Sequence, residues 1–241
     1  PRWARAESDA LQVWVLAVGD GNANVVELPG GKVLVYDCGS RSEFDAGAAA
    51  VTFLRQRGIE RIDTVFVSHA NFDHYSGIEK LAQQLAVGRL VLNDQFEHFA
   101  AEDSSAKQFL LRMKRLGVLI ETVQAPWRMD DPGPAAVEML WPPPAGQRVA
   151  IDANESSTVL RITHQGRSIL LTGDVCEIAM SALATGAGGV KADALVLPHH
   201  GGVNHHTGRF LAAVDPQVAV RSAGQARRMT TNGIEQLVAP R

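Results

Sequence analysis

The apolar run Ile62–Val67 stops at Ser68, and the next six residues bring His69, Asn71, Asp73 and His74. This pattern constrains the chain more than any bulk property. Imidazoles and carboxylates are costly to bury without partners, so a buried strand ending in several of them must place that end at the rim of a sheet. Two other apolar runs end the same way. Ser168–Thr172 leads into Gly173-Asp174, and Ala194–Leu197 leads into Pro198-His199-His200-Gly201-Gly202. Sites form beyond the carboxyl ends of strands in helix-covered sheets. Three such ends therefore predict an α/β chain whose polar loops gather on one edge.

The rest of the chain supplies the strands and helices for that arrangement. Strands are expected over Leu11–Val18, Asn24–Leu28, Val33–Tyr36, Ile62–Val67, Leu90–Leu92 and Leu119–Val123, with a turn at Pro29-Gly30-Gly31. Apolar residues at helical spacing predict helices over Phe44–Gln56, Ile78–Leu85 and Ser104–Leu116. Residues 125–155 are rich in Pro, Gly, Asp and Asn and read as loop, apart from a strand over Val137–Leu140. A hairpin of Thr158–Thr163 and Ser168–Thr172 turns at Gln165-Gly166. A helix over Glu177–Ala184, the strand Ala194–Leu197, a helical turn or two over Gly208–Val214 and a last strand Val218–Arg221 complete the series. Because a strand pair follows the 125–155 loop at once, residues 1–241 read as a single domain.

Composition excludes several classes. With 46% hydrophobic and 20% charged residues the chain is globular rather than disordered. A protein that grips nucleic acid mainly by neutralising phosphates is usually more basic than this chain, whose net charge is −3 without any Lys/Arg run, so a phosphate-bearing substrate would have to be held by a few charges or by a metal. Arg112, Lys114, Arg115, Arg221, Arg227 and Arg228 form a basic patch only if the fold gathers them. Two cysteines, Cys38 and Cys176, make neither a disulfide framework nor a paired-cysteine zinc motif. No apolar stretch is long enough to span a bilayer, and no signal peptide is visible. The chain opens on Pro1, so it is expected to begin inside a longer gene product or after processing.

Imidazole nitrogen and carboxylate oxygen are ligands that zinc, manganese and iron accept. A sharply turning loop can aim His69 and Asn71 at one point and the Asp73-His74 pair at a second. Each residue also has a blander use. Asp174 can cap the helix over Glu177–Ala184, and His199-His200 can be a polar turn. His98, His164, His205 and His206 read as exposed or structural. Cys38 and Cys176, beside Asp37 and Asp174, read as small buried thiols.

The order of Val35-Tyr36-Asp37-Cys38-Gly39, Ser68-His69 with Asp73-His74, Leu170-Leu171-Thr172-Gly173-Asp174 and Leu197-Pro198-His199-His200-Gly201 resembles the metallo-β-lactamase superfamily. Within it, Val15–Gly21, Asn154-Glu155-Ser156-Ser157-Thr158 and Arg221-Ser222-Ala223-Gly224 resemble the soluble C-terminal domain of ComEC-type competence proteins. The resemblance runs from about residue 11 to residue 225, leaving 1–10 and 226–241 as flanking segments. It implies a four-layer αβ/βα sandwich holding one or two divalent ions, zinc or manganese. His69 would bind one ion, with Asn71 beside it. Asp73 and His74 would bind the second, and Asp174 would bridge the two. His199 or His200 would complete the second site, His199 being favoured as the first past the strand. Asp37, Asn154 and Ser157 would orient the ligands from behind. Asp73 and Asp174 would be the catalytic carboxylates, positioning a water for attack on an ester or phosphodiester. The implied activity is a metal-dependent hydrolase, a nuclease acting on DNA during uptake. A membrane channel domain preceding residue 1 would tether it to a bacterial inner membrane.

The chain departs from the family pattern in places. Asn71 stands where His or Asp is usual, Asn22 replaces an Asp of the glycine turn, and Ser76-Gly77 replaces Gly-Gly. Arg227-Arg228-Met229-Thr230 stands where a His-Pro often follows Gly224, and no third histidine is found for the first ion. The second site therefore reads as complete with Asp73, His74, Asp174 and His199, and the first as depleted. This keeps open a non-catalytic binding or scaffold domain, and a small-molecule esterase or lactonase, since fold does not set substrate.

Overall fold

A computed structural model describes residues 8–144, 152–186 and 189–224. The first sheet places β1 (Gln12–Val15), β2 (Ala23–Glu27), β3 (Val33–Cys38), β4 (Arg61–Val67), β5 (Ala86–Asn93) and β6 (Leu119–Val123) side by side in chain order. The first three are antiparallel, and β3 to β6 run parallel. The parallel crossovers carry α1 (Ala46–Gln56), α2 (Phe72–Tyr75), α3 (Ile78–Gln84), α4 (Phe96–Glu102) and α5 (Ser104–Arg115). Asp45 starts α1 by accepting the Ala48 N–H at 2.8 Å, and Asp103 starts α5 by accepting the Ser105 N–H at 2.6 Å.

The second sheet contains β7 (Trp127–Arg128), β8 (Ala136–Trp141), β9 (Val159–His164), β10 (Arg167–Leu171), β11 (Ala194–Val196) and β12 (Val218–Val220), again side by side. It is antiparallel from β7 to β10 and parallel from β10 to β12. The crossovers here carry α6 (Glu177–Thr185) and α7 (Thr207–Val214).

Strand alternation sorts the apolar residues into layers. In β3, Val33 and Val35 pack with α1 and α3, whereas Leu34 and Tyr36 face the second sheet. In β10, Ile169 and Leu171 face the first sheet, and Leu170 packs against Met180 of α6 and Phe210 of α7. The order is helix, sheet, sheet, helix, the four-layer sandwich expected from the sequence.

Some expected elements differ. The strand expected over Leu11–Val18 ends at Val15, and Gly19 adopts a left-handed turn. The segment read as loop after residue 125 contains β7 as well as β8, because Trp127 and Arg128 pair with Met139 and Glu138. Helix α4 was not foreseen, although Phe96, Phe99 and Ala100 are spaced for one helical face. Of the flanking segments, only residues 8–10 lie among the described residues.

Polar bonds tie the two sheets together at one edge. The Thr158 N–H donates to Ser68 O at 2.8 Å, and the Tyr36 hydroxyl donates to Thr158 O at 2.5 Å. Asn93, at the end of β5, donates from Nδ2 to both Ser68 O and Ser156 O. The loop after β3 also lies directly on the His69–His74 loop. A Cβ on Gly39 would come within 2.6 Å of the Asp73 carbonyl carbon and 2.7 Å of the His74 nitrogen. Gly39→Ala is therefore expected to cost roughly 1–3 kcal/mol of folding stability, the usual range for overpacking. Urea denaturation checks this, and an unchanged midpoint would show that the two loops are not clamped.

Candidate metal centre

The carboxyl ends of β3, β4, β10 and β11 converge. Asp73 and His74 come from α2 after β4, Asp174 from the turn after β10, and His200 from the 3-10 turn Pro198–Gly201 after β11. One ligand atom from each of Asp73, His74, Asp174 and His200 lies within 4.8 Å of the others, and all four residues are buried. His74 Nε2 is 3.2 Å from Asp174 Oδ1, and His200 Nε2 is 3.4 Å from Asp73 Oδ2 and 3.5 Å from Asp174 Oδ2. His69 lies against this group, its ring centroid 4.2 Å from that of His74, but it is not one of the four.

Behind these side chains is a second set of contacts. Asp37 accepts hydrogen bonds from the Ser68 N–H (2.7 Å), the Ser68 hydroxyl (2.8 Å) and Asn22 Nδ2 (3.0 Å). It also faces His74 Nδ1 at 2.8 Å, which leaves Nε2 of that ring toward the cluster. The Ser68 proton goes to Asp37, so its oxygen can accept from His69 Nδ1 at 2.9 Å. Ser157 Oγ accepts the Asp174 N–H at 2.9 Å and lies 3.1 Å from His69 Nδ1. Glu155 caps α6 by accepting the N–H groups of Cys176, Ile178 and Ala179.

The preference for His199 over His200 does not hold. Position after the strand suggested His199, but the chain turns through three consecutive left-handed residues, His199 (φ 48°), His200 (φ 54°) and Gly201 (φ 80°). Non-glycine residues rarely adopt that region, and such strain collects at functional sites. The turn swings His200 into the cluster, where its Nδ1 is 3.0 Å from Ser222 O. His199 points away, with Nδ1 3.0 Å from Cys176 Sγ.

Asn71 does not join the cluster either. Its Nδ2 donates to Asn154 Oδ1 at 2.6 Å. The proposed basic patch is divided: Arg112 pairs with Glu79 on α3, Arg221 donates to His200 O from the end of β12, and Arg227 and Arg228 lie outside the described residues. Cys38 is a buried thiol, as expected, and burial together with Asp37 and Asp45 pushes it well above the usual thiol range. Cys176 is only partly buried.

The charges show why a cation fits. Burial alone would neutralise His74, but Asp174 and Asp37 outweigh it and hold the ring protonated. His200 is likewise disfavoured by burial yet raised to about 9 by Asp174 and Asp73. Burial would raise Asp73, but His200, His74 and Arg41 draw it down to about 2. Burial and the neighbouring His74 depress His69 to about 3, so it is neutral. Nε2 of His69, His74 and His200 are all buried without a directed hydrogen bond. A divalent cation among Asp73, His74, Asp174 and His200 would satisfy Nε2 of His74 and His200 and replace their protons, so the residues present fit a metal.

Arg41 was not singled out in the sequence. Its Nη2 lies 3.1 Å from Asp73 Oδ1, and its side chain is 48% exposed. An arginine in a surface loop carries no local signal of this contact, which depends on the close approach of Gly39 to the Asp73-His74 backbone. Asn93 was also missed, although a polar residue closing the run Leu90–Leu92 resembles the other strand ends.

Comparison with known proteins agrees with this geometry. The model of the metallo-beta-lactamase superfamily matches residues 16–225. The chain belongs to the metallo-beta-lactamase superfamily. It is 29% identical over 222 residues to competence protein ComA of Neisseria gonorrhoeae, covering 90% of this chain and 27% of ComA. It is 27% identical over 233 residues to ComE operon protein 3 of Bacillus subtilis (strain 168), covering 90% of this chain and 29% of that protein. The chain thus spans less than a third of the length of these curated relatives. Among solved structures, CmlA, a diiron beta-hydroxylase from Streptomyces venezuelae, superposes with a TM-score of 0.53 at 17% identity, over 90% of this chain and 45% of CmlA. This is the fold of metal-dependent hydrolases, which binds divalent metal ions, and the strand ends just described hold a candidate site for one.

Two outcomes follow. His200→Ala is expected to weaken zinc or manganese binding more than the roughly 10–100-fold typical when only an outer partner of a ligand is lost. His199→Ala is expected to leave it unchanged. Isothermal titration calorimetry of the two variants decides, and the reverse order would restore His199 as ligand. Binding at pH 7 is also expected to release about one proton or more per ion, because His74 and His200 must give up theirs. Calorimetry in buffers of different ionisation enthalpy reads this directly, and no release would mean both rings start neutral.

Proposed function

We propose that this chain is a metal-dependent phosphodiesterase, a nuclease acting on DNA as part of a DNA-uptake protein. The observation that carries this is the buried set Asp73, His74, Asp174 and His200 at the strand ends, in a chain that has two competence proteins among its curated relatives. The proposed ion is zinc or manganese. When bound, a divalent ion supplies acidification of water and polarisation of a phosphoryl oxygen.

The chain's own groups do the rest. Asp73, His74, Asp174 and His200 would hold the ion, and Asp37 keeps His74 aimed by taking its Nδ1 proton. Asp174 and Asp73 orient the attacking water through their carboxylates. His69 is buried against His74, and its Nε2 has no hydrogen-bond partner in the protein. Asn154 keeps Asn71 turned aside, and Ser157 fixes the Asp174 backbone.

An esterase or lactonase would use the same chemistry, and the competence relatives favour DNA over a small molecule. No helix among the described residues is long and apolar enough to cross a membrane. We propose that the chain works beside a membrane channel domain, a reading supported by its spanning less than a third of the competence relatives' length.

The test is hydrolysis of single-stranded DNA with added manganese or zinc. The parent is expected to cleave, and both Asp174→Ala and chelation are expected to reduce cleavage to background. Equal rates for the parent and Asp174→Ala would contradict the proposal.

A further inference from the structure

We infer that this centre holds a single metal ion and that the Arg41 guanidinium supplies the second positive charge, forming a subsite for a phosphate oxygen. The identity of that anion as part of a phosphodiester rests on the function proposed above. The single-ion arrangement and the anion subsite do not.

Charge balance argues against a second ion. One divalent ion among Asp73, His74, Asp174 and His200 offsets the two carboxylates of that group. A second would have to sit by His69, an imidazole that brings no fixed negative charge, and by Asn71, whose amide is neutral and tied to Asn154. No further histidine or carboxylate joins His69 in a metal-holding group among the described residues. Meanwhile Arg41 already places a cation 3.1 Å from Asp73 Oδ1.

Arg41 is also built to receive an anion. Its backbone is fixed on both sides: Arg41 N–H donates to Asp20 O at 2.8 Å, and Ser40 N–H donates to Ser76 Oγ at 3.0 Å, two residues past His74. Gly39 brings this loop into backbone contact with Asp73 and His74. The guanidinium therefore reaches from a carboxylate that is 2% exposed to solvent, with its own side chain 48% exposed. A guanidinium carries five N–H donors in a planar fork that suits phosphate. One nitrogen meets Asp73, which leaves further donors on a half-exposed guanidinium beside the centre.

The experiment compares the parent with Arg41→Met and Arg41→Lys, each stripped of metal and reloaded with zinc or manganese. Metal content is measured by mass spectrometry and affinity by calorimetry. Binding of inorganic phosphate to the loaded protein is then titrated. One ion per chain is expected in all three proteins. Arg41→Met is expected to bind metal as tightly as the parent or more tightly, since a repelling charge is gone. It should bind phosphate at least about tenfold more weakly, the smallest effect expected for a lost charge-assisted hydrogen bond, and Arg41→Lys should recover part of that loss. Two ions per chain in the parent would overturn the inference. So would phosphate binding unchanged in Arg41→Met, or metal and phosphate affinity falling together, which would make Arg41 only a support for Asp73. A parent that binds one ion, and phosphate through Arg41, but leaves DNA uncut would uphold the inference and defeat the nuclease proposal.

Discussion

The buried carboxylate of Asp37 is the interaction on which the rest of the centre depends. It closes β3 in a left-handed conformation (φ 58°) and collects donors from three separate parts of the chain. Asn22 comes from the turn before β2, Ser68 from the end of β4, and His74 from α2. A carboxylate with no solvent exposure is tolerable only because all these partners are present. Its loss would free Ser68 and His74 together, and with them the link through Ser68 O to Thr158 and Asn93 that joins the sheets.

Around that point the molecule stores more negative charge than an apolar interior permits. Asp37, Asp73 and Asp174 are all buried, and without metal their balance comes from protons on His74 and His200 and from Arg41. The same property that makes the region unfavourable on its own suits it to a divalent ion. The strained His199-His200-Gly201 turn belongs to the same account, since the backbone leaves its ordinary range to deliver one imidazole to those carboxylates.

Much of this was legible in the sequence. Strand alternation and the three polar strand ends implied an α/β fold and the edge at which the centre lies, and the family resemblance implied the four layers and the roles of Asp37, Asp73, His74 and Asp174. What was not legible depended on backbone conformation or on long-range contact. His199 and His200 are neighbours of identical chemistry, and only the left-handed turn separates them. Asn71 offers the same donors and acceptors whether it faces a metal or Asn154. Arg41 reaches Asp73 because two loops meet at Gly39, a contact between positions far apart in sequence. The helix α4 was a different kind of omission, since its apolar spacing was present but short.

The central claim is that Asp73, His74, Asp174 and His200 surround one ion. The most direct measurement is an anomalous difference map from crystals of the manganese-loaded protein. The account predicts one strong peak within bonding distance of those four side chains. A peak at the Cys176–His199 pair, or two peaks of equal height with one bonded to His69 and Asn71, would contradict it.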